Sequence, residues 1–382
     1  MPIANGFLKK KEFKKEFFFN MEVGFSEKIS LFQLNDFPAT EKMFNKNYPF
    51  YTGSSLGMIK HFKNYAEWIK KNYLKNNNRL IEIGSNDGTF LSNFKAKQFD
   101  TVGFEPSANV ASKANKNKIK TINKFFNSKN LDYVKNFKKK TNVISAANVI
   151  CHIPDLNELI KSVDQLLDDK GVFIFEEPYL GSMFKKTSFD QIYDEHIYMF
   201  SAHSIKNIFN LYDFELINIE PQSTHGGSMR YVIARKNRYK IHSSVKKILD
   251  YEKIQKLDNI ESCLKFKKNC EQLKDNILKK LIHFKKKGLN IAGYAATSKS
   301  TTVLNYCKID SRIIDFICDT TPEKIGKFSP GMHIPIKSRE YFKNNCPDIA
   351  YLFAWNHKKE IFAKEKEFNH KKKGKWFSHV SI

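Results

Sequence analysis

Residues 80–91 read Leu-Ile-Glu-Ile-Gly-Ser-Asn-Asp-Gly-Thr-Phe-Leu, a short apolar run that leads into a turn with two glycines. Sequence that favours a helix follows, so this stretch predicts a buried parallel strand that passes through a tight turn into a helix. A second apolar run at 101–104 ends in Glu105, a carboxylate placed where it can accept hydrogen bonds from both hydroxyls of a ribose. The stretch therefore predicts a doubly wound α/β domain with a nucleoside site.

The bulk composition predicts a multidomain protein with an anionic ligand. A chain of 382 residues exceeds one ordinary core, and its 41% of apolar residues is enough to build two or more. The net charge of +25 comes from lysines spread along the whole chain, without an arginine-rich arm, a zinc finger or an aromatic RNP-like strand. We therefore expect no nucleic-acid partner, and the charge excess suits a phosphorylated substrate in a basic cleft.

The cysteines and the chain's polarity favour a cytoplasmic protein. Six cysteines occur without a C-x-x-C pair, at positions 151, 263, 270, 307, 318 and 346. They are typical of buried or incidental thiols in a reducing compartment. The charged segment at 9–15 is not followed by the apolar core of a signal peptide, and no apolar stretch reaches the roughly 18 residues that a membrane helix needs. We expect no membrane partner.

The order of patterns divides the chain into four parts. Apolar residues at helical spacing predict a helix over 61–73, and further strands are predicted at 101–104, 142–147, 171–176 and 231–235. The charged segment at 246–287 lacks Pro and Gly and predicts a helix that connects two domains. The expected units are an irregular N-terminal region at 1–60, a first α/β domain at 61–240, the connecting helix at 241–287 and a second α/β domain at 288–382.

A second strand, turn and helix pattern begins at 289. Residues 289–300 read Leu-Asn-Ile-Ala-Gly-Tyr-Ala-Ala-Thr-Ser-Lys-Ser, and a further strand is predicted at 313–317 before Asp319. This order resembles a Rossmann βαβ unit, in which the helix N-terminus can meet a phosphate. The small residues of the turn are equally explained by close packing of helix on sheet.

Several segments together resemble known methyltransferases. The turn at 84–88 resembles the E-x-G-x-x-x-G turn of class I methyltransferases that use S-adenosylmethionine. The whole chain is similar to the sugar C-methyltransferases, which methylate a carbon beside the ketone of a nucleotide-linked keto-sugar. The matching segments are 2–8, 80–91, 103–107, 148–155, 176–201, 225–228, 293–305 and 318–336.

The resemblance implies three parts: a small zinc-bearing N-terminal domain, a class I methyltransferase Rossmann-like domain, and a C-terminal Rossmann-like domain that helps to hold the nucleotide-sugar. The chain departs from this pattern at its start. Ser26 and Ile29 stand where a cysteine pair is expected, and residues 1–50 contain neither cysteine nor histidine. A tetrahedral zinc site needs four nitrogen or sulfur ligands. We therefore expect a degenerate N-terminal region without zinc.

The predicted cofactor set surrounds the first turn and the two strands beside it. Glycines at this turn allow close approach to the methionine part of S-adenosylmethionine, and Glu82 or Asp87 can accept from its ammonium group. Glu105 is expected to take the ribose hydroxyls, and Asn148 to close the far side. The complete set is Glu82, Gly84, Asn86, Asp87, Gly88, Glu105 and Asn148.

Methylation of a sugar carbon needs a base that removes the proton beside the ketone. Residues 193–196 read Tyr-Asp-Glu-His, which supplies suitable groups within four positions. The resemblance implies that His196 is the base and that Tyr193 and Glu195 contact the sugar or stabilise the enolate. His152, at the carboxyl end of a predicted strand, is a second candidate for the base.

Three further residues are candidates for substrate binding. Tyr51 is predicted as a lid over the sugar or as a core aromatic. His225 precedes two glycines whose N–H groups can face an anion, and a hairpin turn is the competing explanation. Lys299 lies in the second glycine-containing unit, at the start of its predicted helix.

The leading interpretation is a methyltransferase that uses S-adenosylmethionine and acts through an enolate on a nucleotide-activated keto-sugar. An O- or N-methyltransferase on a nucleotide-sugar would need no carbon acid and could dispense with His196. A non-catalytic or RNA-associated protein that keeps the fold is a third possibility, favoured by the missing zinc ligands and opposed by the complete set of Tyr193, Glu195 and His196.

Overall fold

The computed structural model describes residues 1–43, 48, 50–75, 78–370 and 374–381. The strands are β1 (Val23–Ser26), β2 (Leu31–Leu34), β3 (Asn78–Ile83), β4 (Phe99–Phe104), β5 (Thr121–Ile122), β6 (Thr141–Ala147), β7 (Leu167–Pro178), β8 (Tyr198–Met199), β9 (Phe214–Gln222), β10 (Ser228–Arg235), β11 (Ile291–Tyr294), β12 (Phe316–Cys318), β13 (Ile336–Lys337), β14 (Ile349–Leu352) and β15 (Lys375–Phe377).

The α-helices are α1 (Thr40–Met43), α2 (Leu56–Tyr73), α3 (Ala108–Lys116), α4 (Leu156–Leu166), α5 (Leu180–Lys186), α6 (Ala202–Asn210), α7 (Ser243–Ile254), α8 (Ile260–Lys286), α9 (Ser298–Tyr306), α10 (Arg339–Asn344), α11 (Lys358–Lys364) and α12 (Lys366–His370). None of the helices in the described ranges is long and apolar enough to cross a bilayer.

The largest sheet has seven strands in the order β5-β4-β3-β6-β7-β10-β9. Strands β5, β4, β3, β6 and β7 are parallel, and β10 runs antiparallel to both of its neighbours. The strand order reverses between β3 and β6, and this reversal opens a crevice at their carboxyl ends. The α/β prediction is confirmed, and the predicted strands correspond to β3, β4, β6, β7 and β10.

The turn after β3 differs from the prediction, because no α-helix follows it. Residues Leu91–Asn93 form only a short 3₁₀ turn. The side chain of Asn93 donates to the carbonyl oxygens of Thr89 and Phe90, and Ser92 Oγ donates to Thr89 as well. These bonds use carbonyl groups that a helix would need, which explains its early end.

A second sheet of five parallel strands lies in the order β13-β12-β11-β14-β15. Its order reverses between β11 and β14, so it has a crevice of the same kind at their carboxyl ends. The predicted strand at 313–317 is present as β12, displaced toward its carboxyl end.

The segment predicted as a connecting helix is two helices, α7 and α8. Lys256 adopts a left-handed conformation with φ of 55° just after α7, and the side chain of Asn259 caps α8 by accepting from the N–H of Glu261. These two local features end one helix and start the next. On α8 the buried side chains join the core beneath the five-stranded sheet: Cys263, Phe266, Cys270, Ile277 and Leu281.

The N-terminal residues pack between the two α/β units. Strands β1 and β2 form an antiparallel pair, and β8, from the middle of the chain, adds a third strand beside β2. Phe32 and Leu34 of β2 are buried in the same core as Leu304 and Ile317 of the C-terminal unit. The N-terminal region is therefore anchored by apolar packing in the described structure.

Candidate active site

A cavity of about 620 Å³ lies where the carboxyl ends of both sheets meet. The seven-stranded sheet contributes Gly84 and Asn148, which follow β3 and β6. The five-stranded sheet contributes Lys299, after β11, and Ala354, after β14. Each pair flanks the point at which its sheet reverses its strand order, where α/β sheets commonly bind ligands. The crevices of the two sheets therefore open into the same cavity.

Glu105 lines this cavity, as do Phe125 and Phe126, which give it an apolar wall. Its carboxylate is buried, and its two oxygens accept from the backbone N–H groups of Asn86 at 3.0 Å and Ser107 at 2.8 Å. Burial raises the pKa of Glu105, and these hydrogen bonds oppose the shift. A fixed carboxylate beside aromatic rings suits a ribose and its base.

Asn148 and Gly84 fit the methionine end of the predicted cofactor. Asn148 has a left-handed conformation with φ of 56°, and its Oδ1 atom is buried without a hydrogen-bond donor in the described residues. A buried acceptor without a donor is costly, so an ammonium group from a ligand would satisfy it. Gly84 has φ of 68°, and a Cβ atom there would lie 2.3 Å from Cγ2 of Val149.

Asp87 does not line the cavity, contrary to its predicted role. Its carboxylate accepts from the N–H of Gly53 at 3.2 Å and from Lys113 Nζ at 2.9 Å, while Thr89 Oγ1 donates at 2.6 Å. These bonds lower the pKa of Asp87 against the opposing effect of burial. The residue ties the segment around Gly53 to the turn after β3.

Gly88 and Glu82 also lie outside the cavity wall. Gly88 has φ of 80°, and a Cβ atom there would lie 3.0 Å from Cγ2 of Ile119. The glycine is therefore required by its backbone and by packing on Ile119. Glu82 is buried, and burial together with the charges of Glu105 and Asp87 raises its pKa well above the usual range. Since neither Asp87 nor Glu82 lines the cavity, the structure does not support either residue as the acceptor for the ammonium group.

The predicted catalytic residues Tyr193 and His196 are hydrogen-bonded to one another. The hydroxyl of Tyr193 lies 2.6 Å from Nε2 of His196, and Nδ1 of the ring lies 2.8 Å from the carbonyl oxygen of Gln191. Burial, reinforced by the electrostatic interactions with His152 and Lys299, lowers the pKa of His196 well below the usual range. The ring is therefore neutral, and both of its nitrogens are hydrogen-bonded within the protein, so it would act as a base only once the bond to Tyr193 gives way.

His152 lies beside His196, with 5.2 Å between the ring centroids. Its Nδ1 atom is hydrogen-bonded to the carbonyl oxygen of Glu195, and burial lowers its pKa. The short 3₁₀ helix Ile150–His152 is held by the buried carboxylate of Glu177, which accepts from the N–H groups of Val149 and Ile150 at 3.0 and 2.7 Å. Both candidate bases thus belong to one cluster.

Glu195 completes the cluster and contacts a residue that the sequence did not single out. Its side chain is 4% exposed, and burial together with the neighbouring charge of Asp194 raises its pKa to about 8. The side-chain amide of Asn5 donates to Oε1 of Glu195 at 2.7 Å. Asn5 lies within the segment 2–8 that carries part of the family resemblance, which was the available signal.

Tyr51 forms part of the cavity wall and is only half-buried. Its hydroxyl accepts from the side-chain amide of Asn109 at 2.9 Å, and Lys113 Nζ lies 4.8 Å from its ring centroid. The next residue, Thr52, donates its N–H to Oδ1 of Asn86. A half-buried residue in the cavity wall is not a core aromatic, and the role of Tyr51 as a lid stays a prediction.

His225 and Lys299 both line the same cavity. His225 adopts φ of 53° in the connection between β9 and β10, so it belongs to the predicted hairpin and also lines the site. Burial and the charge of Lys299 lower the pKa of His225 to about 3. Lys299 lies 3.8 Å from the buried carboxylate of Asp190 and 5.4 Å from the ring centroid of Trp355, and burial lowers its pKa.

One group of side chains in the described ranges has the spacing of metal ligands. Potential ligand atoms of Cys151, His152 and His196 lie within 4.8 Å of one another. Both ring nitrogens of His196 are already hydrogen-bonded, to Tyr193 and to the carbonyl oxygen of Gln191, and burial raises the pKa of the Cys151 thiol well above the usual range. This group is separate from the zinc site that the resemblance implies.

Comparison with known proteins relates both α/β units to methyltransferases. Residues 58–219 match the family model of a methyltransferase domain, and residues 223–380 match that of a C-methyltransferase C-terminal domain. C-methyltransferase NovU of Streptomyces niveus is 29% identical over 321 residues, which cover 83% of this chain and 76% of NovU.

Two further matches cover less of the chain. Carboxy-S-adenosyl-L-methionine synthase of Nautilia profundicola is 29% identical over 163 residues, or 40% of this chain and 64% of that protein. Among solved structures, the PH0226 protein of Pyrococcus horikoshii is 17% identical with a TM-score of 0.40, and the match covers 53% of this chain and 100% of that one.

Proposed function

We propose that this chain, which belongs to the family of S-adenosylmethionine-dependent C-methyltransferases, methylates a carbon beside the ketone of a nucleotide-activated keto-sugar. The observation that carries this proposal is the shared cavity. It joins the nucleoside end at Glu105, the cluster around His196 and the basic end at Lys299. Two crevices that open on one space suit a reaction between two large ligands, each held by its own sheet.

S-adenosylmethionine supplies a methyl group on a positively charged sulfur. In this chain Glu105 would hold the ribose, Asn148 would accept from the ammonium group, and Gly84 would leave room for the backbone to approach the ligand. The carboxylate also favours the positive charge of the bound molecule, and the aromatic residues Phe125 and Phe126 exclude water from the base.

The basic end of the cavity supports a diphosphate-containing substrate. Lys299 and Lys324 both line it, and burial lowers the pKa of each. Partly dehydrated ammonium groups gain most from an anion that replaces their lost hydration. The N-terminus of α9 lines the same space with Thr297, Ser298 and Lys299, so the positive end of the helix dipole lies there.

The central cluster suits removal of a proton from carbon. A neutral His196, or His152, would take the proton beside the ketone, and the C–H electron pair would pass into an enolate. The enolate oxygen would be stabilised by the hydroxyl of Tyr193 or by Glu195, whose raised pKa keeps it protonated near neutrality. The enolate carbon then takes the methyl group, and the electrons of the broken bond stay on sulfur.

The test is methyl transfer from labelled S-adenosylmethionine to a panel of nucleotide-linked keto-sugars, with mass-spectrometric location of the new methyl group. Without the methyl donor, the proton beside the ketone should exchange with heavy water. We expect a product methylated on carbon, and Lys324→Met should raise KM for the nucleotide-sugar far more than for the methyl donor.

Three results would replace the proposal. A methyl group on oxygen or nitrogen, with no exchange of the carbon-bound proton, would make the enzyme an O- or N-methyltransferase. If the free keto-sugar is turned over as fast as the nucleotide-linked sugar, the C-terminal unit does not bind the nucleotide part of the substrate. Absence of turnover across the panel, with intact cofactor binding, would favour the non-catalytic reading.

A further inference from the structure

The N-terminal strap, residues 2–8, runs directly over the catalytic cluster. Ala4 is 2% exposed and uses both of its backbone groups in long-range contacts. Its N–H donates to Oδ1 of Asp194 at 2.9 Å, and its carbonyl oxygen accepts from Oγ1 of Thr301 at 2.8 Å. At the end of the strap, Leu8 and Phe328 exchange two backbone hydrogen bonds of 3.2 and 2.8 Å. The strap is thus fixed to the catalytic block on one side and to the C-terminal unit on the other.

This anchoring aims the side chain of Asn5 at Glu195. The amide nitrogen of Asn5 donates to Oε1 of Glu195 at 2.7 Å, and both residues line the cavity. Oε1 therefore acts as an acceptor. No hydrogen bond reaches Oε2 within the described part of the chain, so Oε2 is the oxygen available to a ligand.

We infer that Asn5 is a positioning residue that fixes which oxygen of Glu195 carries its proton. Because Oε1 already accepts from an N–H group, a proton on Glu195 resides on Oε2. From there the neutral carboxyl donates a hydrogen bond to the ketone oxygen, which gains negative charge as the enolate forms. The inference rests on the proposed function, and it adds a residue from the N-terminal strap to the catalytic machinery.

Groups on several elements surround Glu195 and influence whether its carboxyl group is protonated. On its own segment, the charge of Asp194 favours the protonated form, and Tyr193 faces the carboxyl group. Lys324, from the loop after β12, favours the ionised form, as does the hydrogen bond from Asn5. Tyr48 and the thiol of Cys151 also interact with the charge of Glu195. Asn5 is the neighbour that contributes a directional N–H group in this set.

The discriminating variant is Asn5→Asp, compared with Asn5→Ala in the full chain. Asp has the size of Asn but accepts where Asn donates, so it draws the proton of Glu195 toward Oε1 and away from the ligand. We expect both substitutions to lower kcat and the rate of proton exchange by roughly 10- to 100-fold, as for a lost hydrogen bond to a charged or strongly polarised group. KM and the affinity for S-adenosylmethionine should change little. Lys11→Ala, at an exposed position beyond the strap, is the matched control.

Two kinetic outcomes would overturn the inference. If Asn5→Asp keeps the wild-type rate while Asn5→Ala does not, Asn5 only fills space. If either substitution raises KM for the sugar with kcat unchanged, Asn5 binds substrate and does not orient Glu195.

An infrared measurement tests the same contact without a substrate. The carbonyl stretch of protonated Glu195, assigned by its loss in Glu195→Gln, should be present at neutral pH and should move to higher frequency in Asn5→Ala, because Oε1 then lacks a donor. An unchanged band, or no such band in the wild-type protein, would refute the inference. If the wild-type protein turns over no keto-sugar but the band behaves as expected, the proposed substrate is wrong and the Asn5–Glu195 relationship stands.

Discussion

The hydroxyl of Tyr193 donates its hydrogen bond to Nε2 of His196, across 2.6 Å. The direction follows from the other ring nitrogen. Nδ1 lies 2.8 Å from the carbonyl oxygen of Gln191, which can only accept, so Nδ1 carries the proton and Nε2 is the basic atom. Tyr193 therefore stands between the basic nitrogen of His196 and any group that approaches along that lone pair, and the two residues form one hydrogen-bonded unit.

This unit predicts strongly non-additive mutations. His196→Asn and Tyr193→Phe should each slow single-turnover methylation by roughly 10²- to 10⁴-fold, and the double variant should be little slower than the worse single variant. Proton exchange in heavy water, measured without the methyl donor, should follow the same order. If the double variant is slowed by the product of the two single effects, His196 and Tyr193 have independent roles. If proton exchange is lost in His152→Asn alone, His152 is the base.

The cofactor site predicts different consequences for two acidic residues near the same turn. Glu105→Ala should weaken S-adenosylmethionine binding by roughly 10- to 100-fold, since it removes an acceptor from the cavity wall. Asp87→Asn should have a smaller effect, because Asp87 contacts Gly53 and Lys113 outside the cavity. Calorimetric titration of both variants, with thermal unfolding as the check on folding, decides the matter. Equal losses would mean that both residues act only by holding the turn.

Local patterns in the sequence were sufficient to predict the fold and several of the residues that line the cavity. The strand before Gly84 and the strand before Glu105 each combine an apolar run with a polar terminus, and both patterns are contained within a dozen residues. The candidates that line the cavity, such as Asn148 and Lys299, follow strands whose carboxyl ends face it. Topology alone brings such residues together.

Contacts between distant segments were beyond the reach of those patterns. Asn5 and Glu195 are 190 positions apart, and only the packing of the N-terminal strap brings them together. Asp87 is an acidic residue at the position in the turn where a cofactor ligand is expected. Its carboxylate instead accepts a hydrogen bond from the N–H of Gly53, 34 positions earlier. The helix break at Lys256 likewise follows from local capping that outweighs a helical composition.

The raised pKa of Glu195 predicts how stability varies with pH. An unfolded glutamate ionises near pH 4.3, whereas Glu195 in the folded protein keeps its proton up to a pKa of about 8. Between these values the folded state binds more protons than the unfolded state, so this carboxyl lowers the free energy of unfolding as pH rises, by about 1.4 kcal/mol per pH unit at most. Above the folded pKa the contribution is constant.

Urea unfolding of wild type and Glu195→Gln isolates this term. Buried histidines make the free energy of unfolding rise with pH, which is the opposite sign. They do so only below about pH 6.5, where histidines titrate in the unfolded chain. Burial raises the pKa of Glu177 to about 7. Glu177 therefore also lowers the free energy of unfolding as pH rises, but only up to about pH 7. From pH 7 to pH 8 we therefore expect the variant to lose less stability than the wild type. Identical slopes would show that Glu195 is ionised in the folded protein.

Metal removal is predicted to have no effect on activity or stability. Residues 1–50 contain no cysteine or histidine, and both ring nitrogens of His196, in the group with Cys151 and His152, are hydrogen-bonded to protein oxygens. Prolonged chelation should leave the melting temperature and the methylation rate unchanged. Loss of activity that zinc restores would contradict this, and Cys151→Ala would then show whether the metal lies among Cys151, His152 and His196.

The two glycines of the turn after β3 predict separable defects. Both have positive φ, so alanine at either position costs about 1–2 kcal/mol of stability from the backbone. Gly84→Ala should destabilise the protein more than Gly88→Ala. The new Cβ atom at position 84 would lie 2.3 Å from Val149, whereas a Cβ atom at position 88 would lie 3.0 Å from Ile119.

The two glycines also differ in their relation to the cavity, since Gly84 lines it and Gly88 does not. Folded Gly88→Ala protein should therefore bind S-adenosylmethionine almost normally despite a lower melting temperature, whereas Gly84→Ala should lose both affinity and stability. Strong loss of affinity in a stably folded Gly88→Ala variant would restore Gly88 to the cofactor site, the role that the sequence first indicated.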